Sequence, residues 1–143
     1  MKFDNYMILD FPSKSANEAF ARSAVACFAA QLDPTLDELG DIKTAVSEAV
    51  TNCIVHAYPN ELGIITLRCR ILKDNMLDIV VRDRGVGIED LDQARTPMFT
   101  TGGAERSGMG ISIMESCMTS FSISSEPGKG TTVHMRRKIQ RRK

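Results

Sequence analysis

An α+β two-layer sandwich, with helices covering one face of a mixed, mostly antiparallel sheet, is the fold this sequence predicts. Three observations carry it. Two long segments near the start repeat apolar residues at spacings of three and four. Short β-rich runs follow in pairs joined by turn signals. The helical and strand segments are partly segregated rather than strictly alternating, as when helices lie on one side of a sheet. With 143 residues the chain is one domain, long enough to hide roughly 70% of its unfolded surface.

In order, residues 6–11 read as a first strand. Residues 17–32 read as a helix, with Ala16, Phe20, Ala24, Cys27, Phe28 and Gln31 on one side and Glu18 paired with Arg22 on another. Asp33-Pro34 breaks it, and Pro34 is placed to open the next helix. There Leu36, Leu39, Ile42, Val46, Ala49, Val50, Cys53 and Ile54 form an apolar stripe continuing to about Ala57, and Pro59-Asn60 ends it. Two β-rich runs, 63–72 and 76–82, are joined by Lys73-Asp74-Asn75 as a hairpin. A Gly-rich segment spans 83–88. Beyond it the pattern predicts a short helical stretch to about Arg95, a polar loop over 96–107 and a helix over 108–119. Strands over 121–125 and 131–138 close the chain.

Hydrophobic content of 43% and charged content of 25% are those of a globular protein. The formal charge is zero, but RRKIQRRK at the end holds six of the basic side chains. Residues 1–135 therefore carry twelve basic against eighteen acidic groups, a net of −6. An acidic body with no Trp argues against nucleic-acid binding, which needs a basic face and stacking platforms. No run is long and apolar enough to span a membrane, and no basic, apolar leader opens the chain, so the expectation is a cytoplasmic protein. Cys27, Cys53, Cys69 and Cys117 form no CxxC pair and read as reduced small hydrophobes. One domain over 1–138 and a basic tail over 139–143 is the expected organisation.

Four short segments carry chemistry. Glu48, Asn52 and His56 stand four apart on the second helix and share one polar stripe. That stripe is either an ordinary wet face or a set of metal-ligand and proton-transfer groups. Asp83-Arg84-Gly85-Val86-Gly87 follows a strand; Asp83 is placed to accept from an exocyclic amine, and the bland alternative is a turn or bulge. Ser107-Gly108-Met109-Gly110 opens a helix, which suits a phosphate, or Ser107 is simply its N-cap. Gly128-Lys129-Gly130-Thr131-Thr132 reads as a hairpin turn. Neither the dinucleotide fingerprint nor a P-loop is present.

Together and in this order, the segments resemble the GHKL family of ATP-binding domains, whose signature is an N box on a helix, a DxGxG box, a lid, a GxG box and a late G-T turn. SEAVTNCIVHAY, RDRGVGIEDL, PMFTT and ERSGMGISIME are similar to its small protein-serine kinases that regulate sigma factors in sporulation. The resemblance implies a Bergerat-type sandwich binding ATP or ADP with Mg²⁺. On that resemblance Glu48 is the general base toward an acceptor serine, Asn52 the Mg²⁺ ligand, and His56 a further residue of the N box at the nucleotide. Asp83 bonds the adenine amine, Gly85 and Gly87 let the base enter, and Thr131 or Thr132 closes that end. Arg106, Ser107, Gly108 and Gly110 line the triphosphate beneath a lid that includes Thr100 and Thr101. The implied partners are a sigma factor, an anti-anti-sigma protein as phosphorylation substrate, and a second copy of the chain. Arg22 is the candidate sigma contact, against a plain pairing with Glu18. The first strand and helix are available for the dimer.

Sensor histidine kinases need a phosphoacceptor His on a separate helix, yet His56 lies in the N box and His134 in a closing strand. Chaperone and mismatch-repair relatives carry large extra domains. A general-stress switch kinase of the same fold, or a nucleotide-gated sigma-binding module without useful turnover, are the alternatives. The chain departs from the family at Gly102-Gly103-Ala104 in the lid, at Ala57 where Gly is usual, and in its basic tail.

Overall fold

Five strands hydrogen-bond in the order β1-β2-β3-β5-β4: β1 Asn5–Pro12, β2 Ile64–Leu72, β3 Met76–Asp83, β4 Ser120–Glu126 and β5 Gly130–Lys138. The computed structural model describes residues 3–59, 61–87 and 105–140, leaving aside the side chains of 105–109. The helical stretch expected before Arg95, residues 96–104 of the expected lid with Thr100 and Thr101, and Arg141–Lys143 lie outside the described residues. Among the described residues every pairing is antiparallel, in keeping with the mostly antiparallel sheet expected. Tight hairpins make the β2–β3 and β4–β5 turns, and the helices between β1 and β2 return the chain in the opposite direction. Asp74 and Asn75, both at positive φ, form the first of these turns.

Alternation along the strands sorts the two faces. Ile65, Leu67, Cys69 and Ile71 of β2 and Leu77, Ile79 and Val81 of β3 point to one side and are buried. Against them lie α1 Ala16–Ala29, α2 Leu36–Asn52 and α3 Glu105–Cys117. Ile42, Val46 and Val50 of α2 are fully buried, and each such aliphatic stabilises the fold by about 1.5–3 kcal/mol. Pro34 does not open α2: Thr35 is its N-cap, in a reciprocal capping box with Glu38. Leu36, in the first turn, stays 87% exposed rather than joining the apolar stripe.

On α1 the packed face is Ala21, Val25, Phe28 and Ala29. Of the face expected from the sequence only Phe28 is buried; Ala16, Phe20, Cys27 and Gln31 are exposed. Two neighbouring stripes of α1 are apolar, and the one with alanines at 21 and 29 lets α1 approach α2 more closely. The four cysteines are free, as expected, with Cys53 and Cys69 buried, Cys117 half-buried and Cys27 exposed.

The packed chain runs past the expected boundary at 138. Ile139 is fully buried and its N–H donates to the Asn75 carbonyl at 2.9 Å. The Gln140 N–H donates to Glu38 Oε2 at 2.9 Å. Burial opposes ionisation of Glu38, but this bond and those from Thr35 outweigh it and hold the carboxyl below its ordinary value. Half of the basic ending is therefore built into the body. Arg137 pairs with Asp41 at 2.9 Å, Lys138 donates to the Asp74 carbonyl, and Arg136 joins the cluster on the outer face of the sheet.

That cluster centres on Asp78, a fully buried carboxylate. Arg136 Nε lies 2.8 Å from Oδ1, His134 Nε2 2.5 Å from Oδ1 and Arg70 Nη2 3.1 Å from Oδ2. Burial pushes the carboxyl up, but hydrogen bonds from His134 and Arg136 and the charge of Arg70 outweigh it, leaving it below the ordinary 3.8. The stabilisation is thus present above the unfolded value and lost as pH falls through the lower folded one. Asp78→Ala is expected to cost about 3 kcal/mol at pH 7, at the low end for a broken buried pair because the cations are partly wet. Urea unfolding should show that loss, and the difference from the parent should shrink below about pH 3.8.

Candidate functional site

The last turn of α2 is not α-helical. Residues Cys53–Ala57 widen into a π turn, a distortion frequent at functional sites. Glu48 and Asn52 precede the turn on one face and His56 lies within it; all three are half-buried. Asn52 and His56 line a cleft between α2 and the sheet. Ala49, Val81, Ile123 and Val133 give it apolar walls, and Asp83 stands at its inner end.

Asp83 ends β3 and is only 4% exposed. Its Oδ1 accepts the Gly85 N–H at 2.9 Å and the Thr131 N–H at 3.2 Å. Its Oδ2 accepts the Cys53 thiol at 3.4 Å. The carboxylate is therefore fixed by backbone on one side and offers its other oxygen to the cleft. The chain after it needs two glycines for different reasons. A Cβ at Gly85 would lie 2.1 Å from the Ala57 carbonyl oxygen, against which this turn packs. Gly87 has φ +77 and sits as close to the Glu126 carbonyl. Ala57, where the family pattern has Gly, is buried without disturbing this contact: its carbonyl accepts the Val86 N–H at 3.0 Å.

Thr131 belongs to the cleft and Thr132 does not. Thr131 faces inward, pairs with Ser125 through their hydroxyls at 2.7 Å and holds Asp83 through its N–H. Thr132 stands opposite Arg82 in the register, and alternation sends it to the other face of the sheet.

The helix α3 begins at Glu105, so Arg106, Ser107 and Gly108 lie within its first turn rather than in a loop. The GxG segment sits inside the helix, where each glycine costs about 0.5–1 kcal/mol relative to alanine. Gly110 has a contact reason. A methyl group there would come 2.9 Å from Glu48 Oε2 and 3.6 Å from both terminal atoms of the Asn52 amide. Glu48 also lines an outer groove with Lys43, Thr44, Ser47 and Arg22, the last ion-paired with Glu18 at 3.2 Å. The structure thus brings together Asn52, His56, Asp83, Gly87 and Thr131 in the cleft, with Gly85 behind Asp83. Glu48 and Gly110 meet at its edge, and Arg22 reaches the groove beyond.

Two residues of the site were not singled out from the sequence. Tyr58 is buried; its hydroxyl accepts the Arg84 N–H at 2.8 Å and donates to the Ile64 carbonyl at 3.0 Å, tying the end of α2 to the strands beneath. Cys53 looked like one more apolar position of α2. The signal for both was their adjacency to Asn52 and His56 in the same motif. Among the described residues no three metal-ligating side chains converge. A Mg²⁺ carried on phosphates needs only one or two protein ligands, and the Asn52 amide oxygen is of the type that would serve as one.

Helices on one face of an antiparallel sheet, with a cleft between an acidic-amide helix face and a buried Asp, define an ATPase-type nucleotide domain. Residues 11–137 match the histidine kinase-like ATPase domain. The anti-sigma F factor of Caldanaerobacter subterraneus is 57% identical over 142 residues, covering 99% of both chains. That of Clostridium acetobutylicum is 50% identical over 137 residues, covering 95% of both. The RsbU and RsbW domains of a Mycobacterium tuberculosis protein superpose with TM-score 0.72 at 18% identity, over 97% of this chain and 34% of that one. A histidine kinase domain from Erythrobacter litoralis gives TM-score 0.57 at 21% identity, over 85% of this chain and 60% of that one. The chain belongs to the histidine kinase-like ATPase family and, within it, to the anti-sigma F factors. Among the described residues no helix is long and apolar enough to cross a membrane.

Proposed function

We propose that the protein is an ATP-dependent protein-serine kinase of the cytoplasm that also holds a sporulation sigma factor inactive, and that its phosphoacceptor is a serine of an anti-anti-sigma protein. The observation that carries this reading is the meeting of Gly110 with Glu48 and Asn52 at the edge of a cleft that ends on Asp83. An apolar slot with one fixed acceptor oxygen suits adenine, whose amine donates. A carboxylate next to an amide at the opposite end suits phosphate chemistry on a metal.

In this reading Asp83 accepts from the adenine amine, and Thr131 holds Asp83 in place. Asn52 ligates Mg²⁺, and His56 lines the wall next to it. Arg106, Ser107 and Gly108 approach the phosphates from the first turn of α3. Bound Mg·ATP supplies the transferable phosphoryl group and neutralises its charge. Glu48 takes the proton from the acceptor serine as the serine oxygen bonds to the γ-phosphorus and the bond to the β-phosphate oxygen breaks. Arg22 lines the same outer groove as Glu48, and in this reading it contacts the sigma factor. The protein works as a homodimer.

Label transfer from γ-labelled ATP to a serine of the co-purified anti-anti-sigma protein tests the kinase half. Retention of a sigma factor by the parent, and its loss from Arg22→Ala, tests the other. Sigma capture with no label transfer at any Mg²⁺ concentration would leave a nucleotide-gated binding module instead.

A further inference from the structure

Asp83 is held asymmetrically. Two backbone N–H groups fix Oδ1, at 2.9 and 3.2 Å, whereas Oδ2 accepts from the thiol of Cys53, at 3.4 Å. Cys53 is 4% exposed and lines the same cleft as Asp83. Its placement follows from the apolar stripe of α2, which Cys53 continues: its backbone is α-helical and its N–H donates to the Ala49 and Val50 carbonyls. Burial, together with the neighbouring carboxylate, raises the Cys53 thiol well above its ordinary value, so the sulfur keeps its proton and donates.

From this geometry we infer that Cys53 is a positioning residue for base selection: its S–H holds the Asp83 carboxylate in plane, with Oδ2 turned to the cleft as an acceptor. The inference rests on the reading of this cleft as the adenine site. A thiol is a weak donor, so it orients Oδ2 without saturating it, and the second lone pair of that oxygen stays open to an amine. No donor at all would leave Oδ2 free to turn away or recruit water. The difference bears on the 6-position of a purine. An oriented carboxylate attracts the 6-amino group of adenine and repels a 6-oxo group, whereas a loosened one does both less well. Ribose and phosphate contacts are common to the two ligands and cancel in their ratio.

The test is the ratio of Kd for inosine triphosphate, the 6-oxo analogue, to Kd for ATP, measured by calorimetry on the full chain without turnover. The parent should prefer ATP. Cys53→Ala should reduce that preference by about three- to tenfold, the worth of one ordinary hydrogen bond. Cys53→Ser, which restores a donor, should recover most of it. Cys53→Val, which fills the volume without donating, should behave as Ala and replaces it if the smaller side chain unfolds the protein. A ratio unchanged or raised in the Ala and Val variants, or lost equally in Ser, overturns the inference. A parent that binds ATP and inosine triphosphate alike, or neither, instead overturns the adenine reading of the cleft.

Discussion

Glu48→Gln is expected to bind Mg·ATP as tightly as the parent and to transfer phosphate about 10²–10⁴ times more slowly, the usual contribution of a positioned general base. Glutamine preserves the length and shape of the side chain, so the packing of Glu48 against Gly110 survives. What it removes is a charge and the ability to accept a proton. Losing a negative charge next to phosphates does not weaken their binding, so the whole deficit should fall on kcat, with KM for ATP nearly unchanged. Calorimetry with a non-hydrolysable analogue and a label-transfer assay on the same preparation separate the two effects. Equal loss of binding would make Glu48 a ligand of the metal rather than the base. Unchanged transfer would remove it from the chemistry. Its half-burial and its place in the groove shared with Arg22 and Lys43 favour the base, because that groove is where an acceptor hydroxyl has access.

The order of elements was legible in the sequence because each is a strongly periodic segment with a turn at its end. The second helix shows why periodicity reaches further than composition: its apolar stripe correctly predicts Ile42, Val46 and Val50 in the core. On α1 the same method chose the wrong stripe, because two adjacent apolar stripes exist and only the partner α2 decides between them. Within the site, parity along β5 was enough to separate Thr131 from Thr132 once the register was known, but the sequence alone offered no register. The π turn was invisible, since nothing in CIVHA marks a widened helix. Nor did the sequence show that Cys53 meets Asp83, thirty residues further along the chain. The role of the basic ending was not legible, because charge patterning says nothing of tertiary partners. Asp41, Asp74 and Asp78 claim Lys138 and its neighbours Arg136 and Arg137.

Asp83→Asn should reduce ATP affinity by about 10²-fold while leaving the fold intact, an effect on the base alone. The substituted side chain has two orientations. With its oxygen toward the Gly85 and Thr131 N–H groups it keeps both backbone bonds and turns its NH₂ to the cleft, where the adenine amine also donates. Flipped, it offers an oxygen to the base but sets its NH₂ against two backbone donors 2.9 and 3.2 Å from the present Oδ1. The first orientation preserves the structure and the second sacrifices two buried hydrogen bonds, so the first prevails. An NH₂ facing the cleft suits a 6-oxo purine. Inosine triphosphate should therefore lose little affinity, or gain some, in the variant that rejects ATP, and the preference between the two nucleotides should invert. Thermal unfolding should stay within a few degrees of the parent because both backbone donors remain satisfied. Asp83→Ala, by contrast, should lower stability as well as affinity, since it leaves the Gly85 and Thr131 N–H groups without an acceptor at the inner end of the cleft. An Asn variant that binds ATP as the parent does would mean that the base is read elsewhere and that Asp83 serves only to close the turn.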